Sequence, residues 1–235
     1  MKRGELLYEG KSKVVFATDD PARVIVKFKD DATAFNGVKK AVVSGKGRIN
    51  CAISAHLFEL CAEQGLEHHM LERLSDDEML CERVEIVPVE VIVRNVVAGS
   101  FAKRYGLEEG EPLPWPLIEW CYKSDALNDP LMGEDVPIAL GWARRWELAY
   151  MRESAIDINR ILQDFWGTLD IDLVDMKLEY GRTSDGRLVL ADELTPDGSR
   201  LWERGTGRKL DKDVFRRDLG DLGETYRDLY ERVLG

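Results

Sequence analysis

Cysteine and histidine are scarce in this 235-residue chain, and their scarcity narrows the chemistry open to it. The four cysteines, Cys51, Cys61, Cys81 and Cys121, are widely spaced and include no C-x-x-C pair. They suit reduced cytosolic thiols better than a zinc site or a disulfide framework. The histidines, His56, His68 and His69, make a poor ligand set. Adjacent residues point to opposite faces of a strand, and His56 falls in an expected helix. No apolar run is long enough to cross a bilayer, and Met1-Lys2-Arg3 leads straight into an expected strand, not into a signal sequence. Internal repeats and low-complexity segments are absent. So are the G-x-G-x-x-G, H-R-D and D-F-G signatures, which argues against a protein kinase. Positive charge is in deficit too. A net charge of −11 makes nucleic acid or an anionic membrane a poor primary partner. An anionic ligand would need a locally basic pocket and metal ions to overcome that field.

What is present is an ordinary globular composition, 44% hydrophobic and 33% charged, long enough for one large domain or two small subdomains. The most informative stretch is an expected hairpin, Asp175-Met176-Lys177-Leu178-Glu179-Tyr180, a polar turn, then Leu188-Val189-Leu190-Ala191-Asp192-Glu193. Asp185-Gly186 suits a two-residue type I′ loop. Counting outward from it puts Glu179 directly opposite Asp192, and a longer loop would shift that register. Like charges facing each other on a sheet repel unless a cation lies between them. Hard oxygen donors without Cys or His suit Mg²⁺ or Mn²⁺, and Mg²⁺ usually arrives with phosphates. Asp175 and Lys177 share the strand face of Glu179. The segment continues Leu194-Thr195-Pro196-Asp197-Gly198-Ser199-Arg200-Leu201-Trp202, a turn that presents Asp197, Ser199 and Arg200 beside the carboxylate pair. Arg is the side chain best shaped for bidentate recognition of phosphate or carboxylate.

Along the chain, strands are expected at Glu5–Glu9, Lys13–Ala17 and Arg23–Phe28, followed by a polar loop from Lys29 to Gly37. A helix is expected from about Gly47 to Gln64, with Ile49, Ile53, Leu57, Leu60 and Cys61 on one face and Gly65 as its stop. Strands His69–Leu74 and Met79–Arg83 follow. Pro88 would be awkward inside a central strand, so it suggests an edge or hinge, dividing the chain into residues 1–87 and 88–235. Further helices are expected at Val97–Tyr105, Trp142–Trp166 and within Val214–Leu234. Interspersed helices and mainly antiparallel strands make the fold α+β.

Gly10-Lys11-Ser12 resembles the end of a Walker A loop, but the spacing from Gly4 is wrong and a strand, not a helix, follows. It reads better as a strand–turn–strand flap with Lys11 and Lys13 over a nucleotide, as in kinase-like lobes. Arg94 ends a strand near an expected helix start at Ser100, where free backbone N–H groups suit an anion. The loop Lys123-Ser124-Asp125-Ala126-Leu127-Asn128-Asp129-Pro130 carries little signal alone.

Taken in order, Tyr8 to Lys13, Val87 to Asn95, Ala98-Gly99-Ser100, Asp125 to Pro130, Val174 to Glu179 and Asp192 to Trp202 resemble the SAICAR synthetase family over essentially the whole chain. Cys51 stands where a second amide is expected after Asn50, and Met176 where Phe is frequent. The resemblance implies a two-lobed α+β fold, a smaller antiparallel N-terminal lobe (1–87) like a kinase ATP lobe over a larger metal- and substrate-binding lobe (88–235). It implies an ATP-dependent ligase of purine biosynthesis that joins the carboxylate of CAIR, a carboxyaminoimidazole ribonucleotide, to L-aspartate through an acyl phosphate. The implied cofactors are ATP and Mg²⁺. Lys177, Asp175 and Arg200 would sit at the reacting centre, and Glu179 and Asp192 would hold the metal. Gly10, Lys11, Ser12 and Lys13 would cover the nucleotide, with the backbone at Ile86 and Val87 reading adenine. Arg94, Ser100, Ser199, Arg200 and Asp197 would bind CAIR, and Lys123, Asp125 and Asp129 the aspartate. A cytoplasmic homo-oligomer, a dimer in particular, is expected. A kinase-like small-molecule phosphotransferase and a non-catalytic ATP-binding module are the competing readings.

Overall fold

The computed structural model describes residues 1–34 and 37–235. The chain begins with β1 (Arg3–Glu9), β2 (Lys13–Thr18) and β3 (Arg23–Phe28), close to the strands expected from sequence. The stretch expected as a polar loop contains a short strand, β4 (Asp31–Ala34), which pairs with β5 (Lys39–Val42). Phe35 and Asn36 of that expected loop lie outside the described residues. Next come α1 (Lys46–Glu63), β6 (Met70–Arg73), β7 (Glu78–Glu82), β8 (Glu85–Val96), α2 (Gly99–Tyr105) and β9 (Pro112–Tyr122). A 3₁₀ turn at Asp125–Leu127 leads to β10 (Leu131–Met132), α3 (Asp135–Ala139) and α4 (Arg145–Thr168). The chain closes with β11 (Ile171–Arg182), β12 (Leu188–Ala191), β13 (Ser199–Glu203), α5 (Asp213–Arg216) and α6 (Leu222–Leu234).

Two antiparallel sheets organise these elements, as the α+β expectation required. One has the order β1-β2-β3-β7-β6; the other runs β10-β9-β8-β11-β12, with β13 also pairing β11. Residues Glu67–His69 stitch them together. The His69 N–H donates to Leu190 O (2.8 Å) and the Leu190 N–H to Glu67 O (3.1 Å), extending the edge of β12. α1 is buried on several sides, packing against β3, β6, β7, α4 and α6. Gly65 follows it with φ of +81°, as its role as a stop requires.

The second sheet is built on a strict division of faces. On β8, Val87, Val89, Val91 and Val93 are fully buried against the α4 side, while Ile86, Glu90, Ile92 and Arg94 alternate with them and face the opposite side. On β11, Met176, Leu178 and Tyr180 are buried, and Asp175, Lys177 and Glu179 take the other face. α4 covers the apolar face with Leu148, Met151, Ala155, Ile158 and Leu162. Within the helix expected over Trp142–Trp166, Trp166 is buried, but Trp146 is half-exposed and Trp142 precedes α4 and stacks on Tyr122. α4 also runs past Gly167 to Thr168 before stopping.

Two sequence expectations change. Pro88 lies inside the continuous strand β8, not at a break. The ladder tolerates it because the register with β11 slips between Glu90 and Ile86, so the missing N–H falls at an irregularity. The hairpin loop has three residues, Ser184-Asp185-Gly186, closed by the Thr183 N–H donating to Arg187 O (2.9 Å), with Gly186 at φ +89°. The added loop residue shifts the register by one, so Glu179 faces Ala191 and not Asp192.

α4 is fastened to β8 by a reciprocal amide pair. Asn95 Nδ2 donates to Asn159 Oδ1 (2.8 Å) and to Leu173 O (2.9 Å), and Asn159 Nδ2 donates to Asn95 Oδ1 (2.9 Å). Both side chains are buried. Asn159→Ala should leave the buried Asn95 Oδ1 without a donor and lower stability by about 1–3 kcal/mol. A urea transition with a lower midpoint and unchanged slope would show it.

Candidate active site

The charged face of the second sheet forms the floor of a cleft of about 830 Å³, with the β1–β2 turn and β3 among its other walls. Its lining includes Gly10, Lys11, Ser12, Lys13, Ile86, Arg94, Ser100, Lys123, Asp125 and Asp129, together with Asp175, Lys177, Glu179, Asp192, Asp197, Ser199 and Arg200. The candidate residues thus converge on one cavity from segments far apart in sequence. Val87 stands apart, because its side chain is fully buried in the core and Ile86 lines the cleft beside it.

At one end, lysines and carboxylates interleave. The residue directly opposite Glu179 on the neighbouring strand is Glu90. This like-charge pair holds together because Lys177 Nζ donates to Glu90 Oε1 (3.2 Å) and to Glu179 Oε1. Lys123 Nζ donates to the same Glu179 oxygen at 2.9 Å. Asp192 is brought in by its backbone, which turns out of β12 with φ of +61°. Its carboxylate pairs with Lys13 and lies 3.5 Å from Lys177. Lys13 also approaches Glu193 (3.6 Å). Burial alone would depress the Lys177 ammonium, but Glu179, Asp192 and Glu90 outweigh it and raise its pKa well above the usual value. Burial pushes Glu90 and Glu193 up, whereas for Asp192 Lys13 and Lys177 overcome burial and hold the carboxylate well below the usual range. The β1–β2 turn is closed by the Gly10 N–H donating to Lys13 O (2.8 Å), and Lys11 Nζ reaches across to Asp125 Oδ1 (2.6 Å).

The other end is an arginine ladder. Asp175 lies between two strands that each present an arginine. Its Oδ2 accepts from Arg94 Nη1 (2.8 Å) on β8 and Arg200 Nη1 (2.7 Å) on β13. Arg94 also donates to Glu119 Oε2 (2.6 Å) and Ser100 Oγ (3.1 Å). Arg200 also donates to Asp213 Oδ2 (3.0 Å), whose other oxygen accepts from Arg216 Nη1 (2.8 Å). The anion site expected at the start of α2 is already served by protein, since the Gly99 N–H donates to Glu109 Oε1 (2.9 Å). Gly99 has a specific reason to be glycine. It sits at φ +55°, and a Cβ there would lie 2.4 Å from the Arg200 guanidinium.

Sequence reasoning missed Glu90, Glu193, Asp213 and Arg216, which line the cleft or hold its arginines. Glu90 could have been found from its alternation with Val89 and Val91. Asp213 and Arg216 carry no local signal, because only the return of the chain after β13 brings them to Arg200.

A family model described as SAICAR synthetase matches residues 6–233. The chain belongs to the SAICAR synthetase family. The phosphoribosylaminoimidazole-succinocarboxamide synthase of Deinococcus deserti is 54% identical over 233 residues, 99% of this chain and 98% of the relative. That of Deinococcus radiodurans is 52% identical over the same shares. A solved SAICAR synthetase in complex with ADP superimposes with a TM-score of 0.95 at 45% identity, covering 98% of each chain. This chain therefore shares its fold with that solved SAICAR synthetase.

The Mg²⁺ expected from the sequence can be tested against the donor set. Among the described residues, no group of three or more His, Cys, Asp or Glu is arranged to hold a metal ion. Glu179 and Asp192 offer hard oxygens, with lysines as their present counterions. That set fits Mg²⁺ brought in by phosphates through one or two carboxylates better than a resident ion in a protein cage.

Gly99→Ala should push Arg200 off its carboxylate partners and add about 1–2 kcal/mol of backbone strain, measurable as a lower urea midpoint. Asp211 gives a pH test. It is fully buried, accepts the N–H groups of Leu201 (2.8 Å) and Asp213 (2.7 Å), and burial pushes its carboxyl up to about 7. Between its ordinary 3.8 and about 7 the native state holds a proton that the unfolded chain releases. Stability from this group is full below about pH 4 and is lost as pH rises towards 7, a span of about 4 kcal/mol. Asp211→Asn should flatten that slope in unfolding measured from pH 4 to 8, whatever it does to the absolute level.

Proposed function

We infer that the cleft binds ATP, CAIR and L-aspartate and joins the last two into SAICAR. As a member of its family the chain is an ATP-dependent carbon–nitrogen ligase of purine biosynthesis. The observation that carries the reading to this cleft is its polarity. A lysine–carboxylate cluster suited to phosphates and their cation occupies one end, and an arginine ladder suited to a phosphate or carboxylate the other.

The proposed route follows from the weakness of a carboxylate as an electrophile. The CAIR carboxylate oxygen takes the γ-phosphoryl group of ATP, releasing ADP and leaving an acyl phosphate. The amine of aspartate attacks that carbonyl carbon, phosphate leaves, the amide forms and the amine gives up its proton. Phosphoryl transfer is mainly positioning and charge stabilisation. Lys13 and Lys177 would meet the negative charge of the phosphates, exchanging their present carboxylate partners for them. Lys11, with Gly10 and Ser12, would cover the nucleotide, and the backbone at Ile86 and Val87 would meet adenine. Glu179 and Asp192 would hold Mg²⁺, which when bound screens the β- and γ-phosphate oxygens. Arg94, Ser100, Ser199 and Arg200 would hold CAIR, with Asp175 orienting both arginines. Lys123, Asp125 and Asp129 remain the proposed aspartate contacts.

Residues 1–87 would form the nucleotide-flap lobe and 88–235 the substrate lobe. The first sheet draws its strands from residues 3–82 and the second from 85–203, which supports two lobes but puts their boundary just before β8, a few residues ahead of Pro88. A cytoplasmic setting is also proposed. It is consistent with four free cysteines, and no helix among the described residues is long and apolar enough to cross a membrane.

The test is ADP release from Mg-ATP and CAIR with and without L-aspartate, with the product weighed by mass spectrometry. Aspartate-dependent ADP and a succinocarboxamide product are expected. ADP release indifferent to aspartate would favour a phosphotransferase, and ATP binding without any product a non-catalytic module. Asp192→Asn should remove turnover, at least a thousandfold, because phosphate-bound cations lose an anionic ligand. Full activity in that variant would remove Asp192 from the metal site.

A further inference from the structure

Asp197 lines the cleft, yet its carboxylate is gripped from behind. Oδ2 lies 2.6 Å from Lys46 Nζ and 3.3 Å from Lys212 Nζ, and Oδ1 accepts from the Tyr226 hydroxyl at 2.6 Å. The three partners come from the start of α1, the residue before α5 and the middle of α6. Lys46 and Tyr226 are completely buried, and the Asp197 side chain is 4% exposed. Three helices from opposite ends of the chain thus converge on one carboxylate.

That carboxylate sits in a short turn. The Gly198 N–H donates to Thr195 O (3.1 Å), the Lys177 N–H to Gly198 O (2.9 Å) and the Lys212 N–H to Pro196 O (3.4 Å). The next residues are Ser199 and Arg200 at the start of β13. α1 supports the same turn with two buried polar side chains: Lys46 pairs with the Asp197 carboxylate, and Ser54 Oγ accepts the Leu194 N–H (3.1 Å). Burying such groups on a core helix is costly unless they are paired, and here the partners belong to the segment that carries the cleft residues.

We propose that Tyr226, Lys46 and Lys212 are positioning residues for the acceptor half of the reaction. They fix Asp197, and with it the turn that delivers Ser199 and Arg200 to CAIR. This rests on the ligase reading above. It assigns the C-terminal helix, which does not line the cleft, a role in holding one substrate and not the other. Lysines paired with a buried carboxylate solely for stability would affect both substrates alike.

The test uses Tyr226→Phe, which keeps the buried ring and removes only the hydroxyl, and Lys212→Met, which removes one ammonium. KM for CAIR and for ATP, kcat and Tm are measured on the full chain. Each variant should raise KM for CAIR about tenfold, the value of one such hydrogen bond, while KM for ATP moves by less than about twofold. An unchanged KM for CAIR in either folded variant would overturn the assignment. So would parallel losses for CAIR and ATP that follow the fall in Tm. Should Tyr226→Phe fail to fold, Lys212→Met decides alone, since its side chain is 10% exposed and at the edge of the cluster. CAIR-dependent turnover of the wild-type chain in the same assay separates failure of this assignment from failure of the ligase reading.

Discussion

Glu90 and Glu179 face each other across two central strands, and Lys177 lies between them and offsets the repulsion. Much of the cleft follows from that constraint. A lysine on the same strand face, two residues from Glu179, can reach both carboxylates. The remaining charge on Glu179 then draws in Lys123 from the end of β9, and Asp192 draws in Lys13 from the other sheet. The lysines that neutralise these carboxylates are the groups suited to meet phosphates. Replacing carboxylate partners with phosphate oxygens conserves their charge pairing, so ligand entry need not leave an ammonium buried alone.

The arginine ladder obeys the same logic with the signs reversed. Asp175 is one carboxylate between two guanidiniums, and Glu119 and Asp213 each accept from the Nε–H of one of them. The guanidiniums are thereby fixed in orientation before any ligand arrives, which is the condition for bidentate recognition. Behind both clusters, the opposite face of β8 and β11 is apolar and sealed by α4. The charges are held rigidly because the same strands that present them are anchored in the core. Asp197 extends the principle from strands to a turn, held by side chains of three helices.

Much of this was legible in the sequence. The strand alternation around Lys177 and Glu179, the Pro-Asp-Gly turn and the long amphipathic helix are local patterns, and local patterns survive folding when burial agrees with them. Facing carboxylates with a cation between them do occur, but the pair is Glu90 with Glu179, not Glu179 with Asp192, and the cation is the Lys177 ammonium. A one-residue difference in the loop after Arg182 caused the change, and loop length is a property of turn geometry that the Asp-Gly dipeptide does not settle by itself. Asp192 still joined the cluster, because its left-handed backbone turned it out of the strand.

The sequence alone determined which residues carry charge on which strand face, because side-chain direction in a strand depends only on parity. It also determined the family, through motifs long enough to exclude chance. Tertiary structure alone decided which charges became neighbours. Lys13 meets Asp192 across 179 residues, Lys11 meets Asp125 across 114, and Tyr226 meets Asp197 from the last helix. Coulomb attraction acts on distance in space, and that distance is set by how two sheets and three helices pack, which no local spacing encodes.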